Sequence, residues 1–118
     1  MKRYVELAEN ATATHIKIET RYNLGGLGFA SYTPEPRGYY LHVTPVTRET
    51  RNGYTLESFT AFTGVKQVLK TVSRRSAKAE AAAEEIAKNY LHSMVLHVCE
   101  KNGLPVPPEF IYGEVKTV

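Results

Sequence analysis

Hydrophobic and polar residues change period along this chain, from two in the first sixty positions to a helical spacing in the last third. Over residues 12–22, Thr14, Ile16, Ile18, Thr20 and Tyr22 alternate with His15, Lys17, Glu19 and Arg21, which is the pattern of a half-buried strand. Asn23-Leu24-Gly25-Gly26 then offers residues that tolerate positive φ, and residues 27–32 read as the return strand of a first hairpin. Thr33-Pro34-Glu35-Pro36-Arg37-Gly38 has to lie outside a sheet, because each proline lacks a backbone donor. Residues 39–47 and 54–62 are rich in aromatic and β-branched side chains, and Asn52-Gly53 between them is a strong hairpin signal. Pro45 points to an edge position or a bulge. Residues 65–72 read as a fifth strand, since Val68, Thr71 and Val72 are β-branched and no capping residue precedes them.

The period then lengthens. Ser73 or Ser76 supplies the N-cap of a long helix that runs to about Lys101, with Ala79, Ala83, Ile86, Ala87, Tyr90, Leu91, Met94, Val95 and Val98 on one broad stripe. Asn102-Gly103 ends it and Pro105 prevents its resumption. Pro105, Pro107 and Pro108 predict an extended tail over 103–118, with Phe110-Ile111-Tyr112 running along the sheet or pairing at its edge. The opening residues 1–11 show no convincing element and are expected to be flexible. The expectation is an α+β fold: one domain over 1–118, in which a four- or five-stranded antiparallel meander carries one long C-terminal helix across a face.

Composition adds bounds. A chain of 118 residues is long enough for one core, and 42% apolar with 23% charged residues is the make-up of a globular protein. Cys99 is the sole cysteine, so no internal disulfide can form, which suits a reducing cytoplasm. No apolar run has the length of a signal peptide core or of a membrane span, so no membrane partner is expected.

Charge is where the chain becomes distinctive. The net charge is only +3, yet residues 66–78 hold Lys66, Lys70, Arg74, Arg75 and Lys78 without one carboxylate. They crowd a helix N-terminus, where the macrodipole already disfavours cations, so an anionic partner would relieve the conflict. Arg37, Arg48 and Arg51 could extend the patch toward nucleic-acid phosphates. Tyrosines in the sheet region supply a second candidate surface: Tyr39, Tyr40 and Tyr54 are the residues expected to anchor a protein partner or a second copy. That alternative is a self-assembling or protein-binding accessory module, including one that modulates a host nucleic-acid enzyme.

Catalytic signals are poor. There is no aspartate, and the glutamates are scattered. His92 and His97 stand five apart, about 140° around a helix, too far round to chelate one metal as an i, i+4 pair does. Cys99 falls in the last helical turn, where the dipole raises a thiol pKa. Asn23-Leu24-Gly25-Gly26-Leu27-Gly28 lacks the lysine and hydroxyl residue that close a P-loop. No enzyme activity, metal, cofactor or small-molecule substrate is therefore expected.

Two local resemblances add context. Ser73-Arg74-Arg75-Ser76-Ala77-Lys78-Ala79-Glu80-Ala81-Ala82-Ala83 resembles the start of the last helix in double-stranded-RNA-binding domains. That likeness, over 73–91, implies phosphate contacts by Arg74, Arg75 and Lys78. Arg21-Tyr22-Asn23-Leu24-Gly25-Gly26, followed by Glu35-Pro36-Arg37-Gly38-Tyr39-Tyr40-Leu41, resembles small uncharacterised accessory proteins carried by bacterial mobile elements. It implies a setting, a phage or conjugative element in a bacterial cytoplasm, and no activity.

Overall fold

The strands precede the helices along the chain. The structure, a computed structural model, describes residues 1–9, 11–25, 35–58 and 62–112, with residues 111 and 112 described by backbone alone. Its elements are β1 (Lys2–Glu6), β2 (His15–Asn23), β3 (Gly38–Arg51), β4 (Tyr54–Ser58), β5 (Val65–Thr71), α1 (Ala77–Ala87), α2 (Leu91–Lys101) and α3 (Pro108–Tyr112). The expected return strand at 27–32 lies outside the described residues.

The molecule is α+β, with a five-stranded sheet in which every described pairing is antiparallel. β1, β2, β3 and β4 follow one another as a meander, and β5 returns to β3. β3 is long enough to serve two neighbours along one edge: residues 38–43 pair with β5 and residues 47–51 with β4. The β3–β4 turn is closed by Asn52 at φ 50° and Gly53 at φ 81°, the left-handed pair that a two-residue hairpin requires.

Alternation sorts the strands into two faces. Val5, Ile16, Ile18, Tyr39, Leu41 and Val43 point to the core and are almost completely buried there. Each such aliphatic side chain contributes about 1.5–3 kcal/mol by leaving water. α1 meets this face through Ala79, Ala83 and Ala87, whose small side chains let the helix approach closely. α2 adds Met94, Val95, Val98 and Cys99.

Three expectations need correction. Residues 2–6 form an edge strand in place of a flexible start: Val5 pairs with Ile16 and is buried, while Lys2, Arg3 and Glu6 obscure the alternation as charges on edge strands do. The long helix is divided. Asn89 and Tyr90 donate three residues back, to Ile86 and Ala87, so the α-helical ladder is interrupted before α2 begins. The tail is not extended throughout, because Pro108 occupies the first position of α3, where a missing N–H costs nothing, and Phe110 is buried against the core. Among the described residues no helix is long and apolar enough to cross a membrane.

Candidate functional site

The basic segment is held in place from the centre of the sheet. Val72 N–H donates to the Arg37 carbonyl at 3.0 Å, carrying the β5 pairing one residue past the strand. Four residues on, Ser76 caps α1, its hydroxyl accepting from Ala79 N–H at 3.0 Å. The Tyr39 hydroxyl, reaching up from β3, donates to the Ser76 carbonyl and accepts from the Ser76 N–H, both at 3.2 Å. The start of α1 is therefore fixed on three sides.

Arg37 acts as a strap. Its Nε donates to the Leu24 carbonyl at 3.0 Å and one terminal nitrogen donates to the Ser73 carbonyl at 3.1 Å, tying the end of β2 to the basic segment. The Arg75 guanidinium lies 5.5 Å from the centre of the Tyr22 ring, which itself meets Tyr39 edge-on at 5.2 Å. Tyr22, which the sequence showed only as one of the alternating residues of β2, thus lies beside the basic segment.

Lys70, Arg74, Arg75 and Lys78 are all exposed. Among the described residues no carboxylate lies within ion-pair distance of any of the four. The first turn of α1 sets the positive end of its dipole beside Arg74, Arg75 and Lys78 along the chain, and it also carries Glu80.

The other candidate residues fall elsewhere. Lys66 is neutralised by Glu35, which also accepts from Asn23 at 2.9 Å. The hydrogen bond from Lys66 holds the Glu35 carboxyl below its ordinary range. Arg48 stacks on Tyr4, its guanidinium 3.8 Å from the ring centre, and is half-buried. Its cross-strand neighbour Glu57 pairs instead with Lys17 at 3.3 Å. Arg51 pairs with Glu49 at 2.9 Å beside the β3–β4 turn, roughly 40 Å along the strand from Gly38 at the basic corner. Tyr39 and Tyr40 are 2% and 4% exposed, and both hydroxyls bond within the chain, Tyr40 to the Pro36 carbonyl at 2.8 Å. Neither ring presents a surface to a partner. Tyr54, at 73% exposure, is open to solvent.

The sheet face away from the helices carries a charged network that the sequence pattern showed only as alternation: Lys17, Glu19 and Arg21 on β2 beside His42 on β3 and Lys66 on β5. Burial, reinforced by Arg21 and Lys66, holds His42 below its ordinary value of 6.5, against the opposing pull of Glu19 and Glu35. Burial pushes the Glu19 and Glu57 carboxyls up, but Arg21 beside the first, and Tyr4 and Lys17 beside the second, hold both below 4.5.

A pH prediction follows from these directions. The unfolded chain takes up a proton at His42 near pH 6.5 while the folded one resists, so stability is complete above 6.5 and declines as the pH falls below it. Glu19, Glu35 and Glu57 add a second decline below 4.5, because their folded carboxyls stay ionised after the unfolded ones are protonated. Urea midpoints measured against pH should show both, and His42→Gln should remove the first while leaving the second.

Burial also raises the Cys99 thiol, the opposite of what activates a nucleophile. Among the described residues, no group of three His, Cys, Asp or Glu is placed to hold a metal ion. No family model, curated protein or solved structure matches the chain.

Proposed function

We propose that this protein is a non-enzymatic binding module that engages nucleic-acid phosphates through Lys70, Arg74, Arg75 and Lys78. One observation carries the reading: from the end of β5 to the first turn of α1, Lys70, Arg74, Arg75 and Lys78 are exposed and, among the described residues, no carboxylate is within ion-pair distance of any of them. Lys66, Arg48 and Arg51, each occupied by an internal partner, are outside the site, and Arg37 positions it. The resemblance to accessory proteins of mobile elements supplies the setting, a bacterial cytoplasm.

The test is the salt dependence of binding to a fluorescent duplex of about twenty base pairs. Four phosphate contacts give a slope of about −3.6 in log affinity against log salt, so that going from about 50 to about 200 mM weakens binding about 150-fold. Replacing Arg74, Arg75 and Lys78 together by alanine should reduce the slope to about −0.9, with Arg51→Ala leaving it unchanged. Binding that ignores salt, or a slope that survives the triple substitution, refutes the reading.

A further inference from the structure

Among the described residues three strands of the sheet have an unpaired edge: β1 pairs only with β2, and β4 and β5 each pair only with β3. Free edges are templates for another chain and are normally blunted by lysine, proline or a bulge. β1 carries Lys2 and Arg3, and β5 carries Lys66, Lys70 and a register shift opposite Tyr39 and Tyr40. β4 has none of these devices. It reads Tyr54-Thr55-Leu56-Glu57-Ser58, and Tyr54 and Leu56 stand on one face at 73% and 50% exposure.

The pairing geometry says which backbone groups are free. A two-residue loop makes the residues flanking it, Arg51 and Tyr54, a hydrogen-bonded pair, so positions 54, 56 and 58 bond inward to β3. Thr55 and Glu57 then aim their N–H and C=O groups outward. We infer that β4 is the contact edge between two copies of this chain, paired antiparallel about a two-fold axis at Leu56. In that register Thr55 exchanges both backbone bonds with Glu57 of the partner subunit, and the symmetry repeats the exchange to give four bonds. Leu56 meets Leu56 of the partner subunit as a close pair with Cα atoms about 4.5 Å apart, and Tyr54 lies opposite Ser58 of the partner subunit.

Charge selects this edge over the other two. Two copies of β1 or of β5 would bring Lys2 and Arg3, or Lys66 and Lys70, against their own like. On the β3–β4 ribbon Arg48 and Arg51 balance Glu49 and Glu57, and each Glu57 carboxylate is held by Lys17 of its own chain at 3.3 Å on the opposite face. Chains that each carry +3 thus meet at a neutral stretch. A five-residue edge falls below the roughly 1,200 Å² of a standard interface, so the dimer is weak and concentration-dependent. The inference uses none of the phosphate-binding residues and stands apart from that reading.

Sedimentation velocity from about 5 to about 300 μM tests it, a range that brackets weak association. The wild type should move toward the dimer mass, and Leu56→Lys should stay monomeric with an unchanged melting temperature. Leu56→Cys supplies an exposed thiol, Cys99 being buried, and mild oxidation should lock a covalent dimer because the paired Cα atoms lie within disulfide reach. Tyr54→Cys, which faces a serine, should cross-link about tenfold more slowly by the same geometry. A wild type that remains monomeric across the range, association that survives Leu56→Lys, or equal cross-linking of the two cysteine variants overturns the inference.

Discussion

Replacing Gly38 by alanine is expected to destabilise the protein by about 3 kcal/mol, at the upper end of what overpacking costs, and to weaken phosphate binding as well. A Cβ added there would lie 2.2 Å from the Lys70 carbonyl oxygen and 2.8 Å from the Thr71 Cα. Both are backbone atoms of β5, paired on one side of Gly38, while Asn23 of β2 pairs on the other. A flexible side chain could step aside, but a strand in a ladder has to move as a unit. Displacing β5 here also strains the Val72 to Arg37 bond and the Arg37 to Ser73 bond that set the basic segment. The affinity loss would thus appear with every lysine and arginine still present. Gly53→Ala makes the comparison, since its Cβ meets nothing within 4 Å and only the left-handed φ of 81° opposes it, at about 1 kcal/mol. Urea titration of both variants checks the ranking, and amide exchange should show the extra loss in Gly38→Ala concentrated in β5. Equal costs for the two would mean that the β3–β5 contact yields easily.

The elements legible in the sequence are those whose signal is local. Asn52-Gly53 marks its hairpin because only a left-handed pair closes a two-residue loop, and Ser76 caps α1 through its own hydroxyl. The division of the long helix was hidden for a definite reason. Ala79, Ala83, Ala87, Leu91, Met94 and Val98 keep helical spacing straight through the interruption at Asn89 and Tyr90, so the apolar stripe stays in phase while the backbone bonds change. β1 was hidden by charges that suit an edge, and α3 by prolines that permit a helix start as readily as an extended path.

The candidate site divides in the same way. Exposure of Lys70, Arg74, Arg75 and Lys78 could be anticipated, because charge next to a helix cap stays in water. The capture of Lys66 by Glu35, 31 positions away, and the stacking of Arg48 on Tyr4, at the opposite end of the sheet region, depend on strand register that no local pattern encodes. Tyr39 and Tyr40 show the limit most clearly. Consecutive residues of a strand face opposite sides, and here both sides are covered, the first by the start of α1 and the second by Pro36 and Lys66.

Ile18→Ala should produce the other large effect, a loss of about 3–4 kcal/mol and a melting temperature lower by roughly 12–16 °C, without touching phosphate affinity. Ile18 is fully buried, paired with Val43 on one side and Arg3 on the other, so ladder bonds hold the backbone on both flanks. Above it lies the core that α1 enters through alanines, which have no length to extend into a void. The cavity therefore remains open, and the cost sits in the middle of the range for large-to-small core changes. Val68→Ala, at a position 36% exposed, should stay within about 0.5 kcal/mol. A chain of this length has roughly 6–18 kcal/mol of stability, so Ile18→Ala still folds at low temperature, where its salt slope can be compared with that of the wild type. An unchanged slope is expected, because the Ser76 cap, the Tyr39 clamp and the Arg37 strap are all intact. Ile18→Ala would then lose stability and keep binding, and Gly38→Ala would lose both. If affinity instead tracked stability in the two variants alike, the basic segment would owe its placement to the core as a whole and not to the contact between β3 and β5.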